Sequence, residues 1–154
     1  MAGLIRNLTE TRWARMPGGI GWRTRPEEDE SWEQIGIAVC ALEPGEALAM
    51  YHREDDQEDF LVLSGEGTLL VEGEERPLRQ WDFFHCPPGT AHAILGGPLV
   101  VAAVGARPVR GLVFPADEVA QRHGFGVEEE TDDPSVAFAR FGEPERVPYD
   151  GWLE

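Results

Sequence analysis

Positive charge is scarce in this chain: 13 Lys plus Arg stand against 29 Asp plus Glu, a formal net charge of −16 over 154 residues. Such a balance repels nucleic acid and anionic membrane surfaces wherever salt does not screen it, so neither is expected as a partner. Cysteine is rarer still. Cys40 and Cys86 lie far apart, show no CxxC spacing and have apolar or proline neighbours, which marks them as small core residues and not as ligands or redox thiols. No run approaches the about 18 apolar residues of a membrane span, and residues 1–8 lack the apolar stretch of a signal peptide. The expectation is a soluble cytoplasmic protein. Also missing are a G-x-S-x-G elbow, a Walker loop, a G-x-G-x-x-G opening a helix, an H-E-x-x-H pair and a basic-aromatic stripe, which removes the common hydrolase, nucleotide-binding and nucleic-acid templates. Ser64-Gly65-Glu66-Gly67 is glycine-rich but joins two predicted strands, so it is expected to be a hairpin turn.

What the chain does have is 18 Gly and 12 Pro spread between short apolar runs, the texture of an all-β protein. Its length allows a core without metal or disulfide staples, so any metal is free to be functional. Residues 1–34 read as an irregular extension with room for one strand. Strands are predicted at 35–42, 47–52, 60–63, 68–71, 76–78, 82–86, 91–95, 99–104 and 111–114, separated by turns such as Pro44-Gly45, Glu72-Gly73-Glu74, Pro87-Pro88-Gly89 and Gly96-Gly97-Pro98. So many short strands need a barrel or sandwich to hide their edges. The runs at 60–63 and 99–104 are apolar on both faces, so something should cover the barrel's outside: the N-terminal extension, or a second copy in a homodimer. Residues 115–154 read as a C-terminal segment with helices at 116–123 and 134–141, the first closed by Gly124 and the second capped by Asp132 or Asp133, then a tail from Gly142. The predicted organisation is one domain: extension 1–34, barrel 35–114, helical segment 115–154.

The histidines are His52, His85, His92 and His123. His123 is explained by its place in the last turn of a helix. His52 ends a predicted strand, Glu54 follows at i+2, Glu58 opens the next strand and His92 opens a later one, so a closed barrel can aim all four inward. Imidazole and carboxylate without thiolate suit a single divalent Fe, Mn, Ni or Zn ion. Glu58 shares its face with Phe60 and Val62, and an inward glutamate beside apolar neighbours needs a cation or a hydrogen bond. Glu54 is a fourth candidate ligand or a solvated acid of the 54–59 cluster; the acidic runs at 27–30 and 128–133 read as solvated faces. His85 has no face assigned by pattern, and Trp81 is expected to pack.

The stretch 44–96 resembles the paired motifs of the cupin superfamily. The first motif, G-x5-H-x-H-x3-4-E-x6-G, is met by Gly45, His52, Glu54, Glu58 and Gly65. The second, G-x5-P-x-G-x2-H-x3-N, is met by Trp81, Pro87, Gly89, His92 and Gly96. The departures are one extra residue before His52, Glu54 for the second His, Trp81 for the opening Gly and Gly96 for the closing Asn. The resemblance implies a jelly-roll barrel and a metal bound by His52, Glu58 and His92. It leaves two functions open: a metal-dependent enzyme of dioxygenase, isomerase or decarboxylase type on a small organic substrate, or a non-catalytic module that binds or senses a small molecule. Fold resemblance alone cannot name the reaction.

Overall fold

The computed structural model describes residues 3–27 and 32–150. Among the described residues, eight strands, β1 (Arg12–Met16), β2 (Ile20–Thr24), β3 (Ile35–Leu42), β4 (Glu58–Val71), β5 (Glu74–Arg79), β6 (Phe83–Cys86), β7 (His92–Ala106) and β8 (Glu145–Pro148), and two short α-helices, α1 (Glu118–Arg122) and α2 (Pro134–Ala137), follow one another. The strands pair in the order β5-β4-β7-β3-β2-β1-β8, with β6 also on β4. The protein is an all-β jelly-roll barrel with short C-terminal helices, as its sequence predicts.

Two predicted turns are bends inside long strands. The 60–63 and 68–71 runs are one strand, β4, and the 91–95 and 99–104 runs are another, β7; they pair antiparallel along their length with register shifts between Val62 and Ser64 and between Gly65 and Gly67. The glycines that look like hairpin signals let the two backbones pass close together. Gly65 has φ +79, and a Cβ on Gly65 or Gly67 would run into the carbonyls of Pro98 and Leu95.

The bends let the pair serve two cores. Val62, Leu69, Ile94 and Val101 fill the barrel with Ala38, Leu42 and Phe60. Leu70, Ala93 and Leu95 point the other way, into a second core with Tyr51, Phe114, Ala120, Phe125 and Phe141. This second core covers the outside at 70 and at 93–95 with residues of the C-terminal segment and with Met16 and Ile20 of the N-terminal one, but takes in no residue of the two-faced runs 60–63 and 99–104. At the other end, Ile35, Ile37 and Phe83 stay exposed.

The N-terminal segment is more regular than expected. It supplies two strands, β1 and β2, and β2 continues the barrel by pairing with β3 from Trp22↔Ala41 to Thr24↔Val39. The tail likewise gives β8, paired with β1. Residues 47–52 form no strand; Ala47 and His52 make isolated bridges to Leu95 and His92, with a bend between them, and 111–114 is reduced to bridges at Val113 and Phe114. Helix α1 is capped by Asp117, whose side chain accepts from the Ala120 amide, and Gly124 follows at φ +83. Helix α2, capped by Asp133, is a single turn.

Candidate metal centre

Three elements converge on one point. His52 and His92 face each other across a bridge in which the His52 amide donates to the His92 carbonyl at 3.1 Å and the His92 amide donates back at 2.9 Å. Glu58 opens β4 opposite Gly105 on β7, whose missing side chain leaves room for the glutamate; a Cβ there would stand 3.4 Å from Glu58 Cγ. The donor atoms of His52, Glu58 and His92 all lie within 4.8 Å of one another.

The tautomers follow from the outer hydrogen bonds. His52 Nδ1 lies 2.7 Å from the Met50 carbonyl and His92 Nδ1 lies 3.1 Å from the Thr90 carbonyl. Carbonyls only accept, so each Nδ1 carries a proton, and in its neutral form each ring turns an Nε2 lone pair inward. Those atoms meet Glu58 Oε2 at 3.6 Å and 3.2 Å, and that oxygen is buried without a hydrogen-bond partner. Three electron-rich atoms aimed at one another could hold a cation, with the backbone carbonyls orienting the imidazoles. The residues present therefore fit a divalent ion of the imidazole-carboxylate class.

The surroundings are apolar. Phe60 and Phe84 pack on His92 with ring centroids at 5.3 and 6.1 Å, and Phe114 lies 6.2 Å from His52. Burial alone would raise the Glu58 carboxyl, but in the metal-free site hydrogen bonds and charge from imidazoles protonated at Nε2 bring it down to about 2. Burial would lower His52, yet Glu58 raises it above its ordinary value. Glu54 is buried nearby and stands outside the three converging groups; burial first, then the charge of Glu58, push it up to about 7. Cys86 Sγ sits 3.3 Å from His92 Nδ1, and burial pushes its thiol up to about 12 and that of Cys40 to about 11.

The remaining predicted positions lie elsewhere. His85 is on the outer face of β6, 2.7 Å from Asp59, and His123 pairs with Glu75 at 2.6 Å. Trp81 does not pack: it is 67% exposed, at φ +73. Its position in the second motif is a left-handed turn, where glycine is the unstrained residue.

His52, Glu54 and Glu58 reach a cavity of about 250 Å³ whose walls include Ala38, Cys40, Ala103, Gly105 and Phe114. Also lining it are Arg23, Arg25 and Arg107, which motif reading alone did not single out. The signal was available: Arg23 and Arg25 stand at i and i+2 around the buried Thr24, one strand face apart from the rest.

Comparison with known proteins agrees with this architecture. No curated protein matches the chain. Among solved structures, a protein provisionally named a sugar phosphate isomerase, from Acidithiobacillus ferrooxidans, shares 30% identity over 56% of this chain with a TM-score of 0.50, and the match spans only 60% of that protein's length. The polyketide cyclase RemF from Streptomyces resistomycificus superposes over 71% of this chain and 83% of its own at TM-score 0.60 and 13% identity. A sugar phosphate isomerase from Silicibacter pomeroyi does so over 75% and 88% at TM-score 0.59 and 19% identity. At such identities the last two attest the fold alone. The cupin domain family model matches residues 38–104, from the strand before His52 through His92, so the core of the barrel and the candidate site lie in a stretch similar to the cupin domain.

Proposed function

We propose that this protein is a metal-dependent enzyme acting on a small organic substrate, with one divalent Fe, Mn, Ni or Zn ion held by His52, Glu58 and His92 at the inner end of the cavity. The observation that carries the reading is Glu58 Oε2, buried without a hydrogen-bond donor between two inward Nε2 lone pairs. A bound ion supplies Lewis-acid polarisation of substrate oxygens, with coordination positions left open beside three protein ligands. The chain's own groups do the rest. Met50 and Thr90 fix the imidazoles by their carbonyls, Phe60, Phe84 and Phe114 keep water from the ligands, and the small residues Ala38, Ala103 and Gly105 leave room for the substrate. The neighbour provisionally named a sugar phosphate isomerase, at 30% identity, favours an enzyme over a binding or sensing module.

The test is elemental analysis of protein purified without a histidine tag or chelator, with Glu58→Gln and His92→Ala alongside. Near one equivalent of metal in the wild type and little in either variant is expected. Absence of metal from all three after reconstitution would refute the metal centre, and bound small molecule recovered unchanged from metal-loaded protein would favour the sensing module.

We also infer a homodimer, supported by the apolar outer face of β6, β4, β7 and β3. Registers place Phe83 beside Leu61, Leu61 beside Ala102 and Ala102 beside Val39, with Val104 beside Ile37 in the next row. Ile35, Ile37 and Phe83 on this face are exposed among the described residues.

A further inference from the structure

We propose that Arg23, Arg25 and Arg107 form an anion-recognition wall of the cavity, so that the ligand is a small metabolite carrying a phosphate or carboxylate group. This deepens the metal-enzyme reading and rests on it for where the ligand's reacting end lies, but the anion site stands on its own residues.

The distribution of charge is the first ground. The chain has no lysine; its thirteen cationic side chains are all arginine, against 29 acids. With acids in such excess, an arginine normally finds a carboxylate, as Arg15 does with Glu145, Arg53 with Glu130 and Arg110 with Asp56. Yet three guanidinium groups line one cavity of about 250 Å³. Only Arg107 has an acid, Glu27, at 2.9 Å; Arg23 and Arg25 make no ion pair among the described residues.

Arg107 is held in place. Glu27, 4% exposed, accepts from its Nε, and the Ala106 carbonyl accepts from Nη1 at 3.1 Å. Its guanidinium lies across Gly36, where an added Cβ would come within 2.6 to 2.8 Å of Nε, Cζ and Nη2. On the same wall, Arg107 Nη1 and Glu58 Oε1 stand 4.0 and 3.7 Å from one point above Gly105. The guanidinium thus borders the carboxylate of the metal triad.

Arg23 and Arg25 approach from β2, which pairs with β3 at Arg23↔Cys40. Burial, then the neighbouring charges of Arg23 and Arg107, push Arg25 down to about 10. The three cations raise each other's free energy, offset in part by Glu27 on Arg107 and by Glu54 and Glu58 on the same lining, and an anion seated among them removes more of that cost. Planar guanidinium forks give phosphate or carboxylate oxygens paired hydrogen bonds that a lysine could not. An uncharged ligand would leave the repulsion unrelieved.

The experiment is calorimetric titration of metal-free protein at low ionic strength with inorganic phosphate, with succinate and with uncharged glycerol. Wild type should bind one of the two anions and not glycerol, and the stronger of the two identifies the group. Arg25→Gln and Arg23→Gln should each weaken that binding at least tenfold, Arg25→Lys less, and Arg122→Gln, an exposed arginine of α1, by less than twofold. Folding of each variant is checked by circular dichroism; should Arg25→Gln fail to fold, the exposed Arg23→Gln decides. No anion binding, or equal binding by wild type and both cavity variants, would overturn the proposal. Glu58→Gln separates the two readings: it should lose metal and keep anion binding. Metal uptake by wild type without anion binding would leave the metal centre standing and the arginine wall refuted.

Discussion

His52 and His92 are joined backbone to backbone: each donates its amide to the other's carbonyl, at 3.1 and 2.9 Å. The scaffold that brings the imidazoles together is therefore independent of the imidazoles. His52→Ala and His92→Ala should fold with unchanged circular dichroism, losing about 1–3 kcal/mol of stability for the truncated buried side chain. What they should lose entirely is the metal-induced rise in Tm, which in wild type corresponds to about 2.7 kcal/mol at a metal concentration 100 times Kd. A Tm rise of equal size in either variant would show that metal binds elsewhere.

The metal-free triad makes a pH prediction of definite sign. His52 is raised above 6.5, so its contribution to stability is full below that value and is lost as pH climbs through its folded value. Glu58, depressed from 4.5 to about 2, contributes fully above 4.5 and loses its share only as pH falls toward 2. The pair stabilises metal-free protein most between those two ordinary values. Metal needs the neutral imidazole, so the metal-induced Tm shift should be larger at about pH 8 than at about pH 6 in scanning calorimetry. A shift that shrinks with rising pH would contradict the assignment of His52 as a ligand.

Trp81 is a strained residue with little to hold it. A bulky side chain at φ +73 costs about 1–2 kcal/mol, and at 67% exposure it recovers little by packing within the chain. Trp81→Gly should raise stability by about 1 kcal/mol in urea titration, the gain being trimmed by the extra freedom of glycine in the unfolded chain. A loss of stability would mean that the indole is buried against something, such as a second copy.

How far the sequence reveals this molecule depends on the range of the signal. That Glu58 and His92 open strands is legible from motif spacing; the strand predicted to end at His52 is not there, and only the bridge to His92 sets His52 beside it. The Gly65–Gly67 and Gly96–Gly97 bends are not legible, because glycine signals a turn and a close backbone approach alike, and only the pairing of β4 with β7 decides between them. The strands β1, β2 and β8 escape notice for another reason: each is a run of four or five residues that carries arginine and looks polar, although Arg23 of β2 lines a cavity. Arg107 finds its partner Glu27 eighty residues away, a contact no local pattern encodes.

Glu54 occupies the place where the cupin motif has its second histidine, yet its carboxylate stays outside the cluster of converging donors. Glu54→Gln should therefore keep one equivalent of metal by elemental analysis while Glu58→Gln loses it. In metal-free protein Glu54 is raised to about 7; the unfolded carboxyl ionises near 4.5, so ionisation costs the fold stability as pH rises from there and the cost is complete above 7. Glu54→Gln should then be more stable than wild type at about pH 8 and closer to it at about pH 5. Loss of metal in Glu54→Gln would make it a fourth ligand.

The last prediction concerns the outer face that the described residues leave partly uncovered. Strands with one wet face alternate, and β3, β4 and β7 do not; Val39, Leu61, Ala102 and Val104 carry apolar side chains outward where solvent would select polar ones. Ile35 and Ile37 extend the face to the edge of the described structure, and Phe83 closes it on the other side. An isologous pair buries such a face against itself without needing a second kind of surface. Sedimentation equilibrium should give a dimer for wild type. Ile37→Glu sets a charge against its own symmetry-related region and should give a monomer that still binds one equivalent of metal, since Ile37 points away from the triad. A wild-type monomer would leave the apolar rows without a partner of the chain's own kind, and a monomeric Ile37→Glu that also lost its metal would show the site and the interface to be one structural unit.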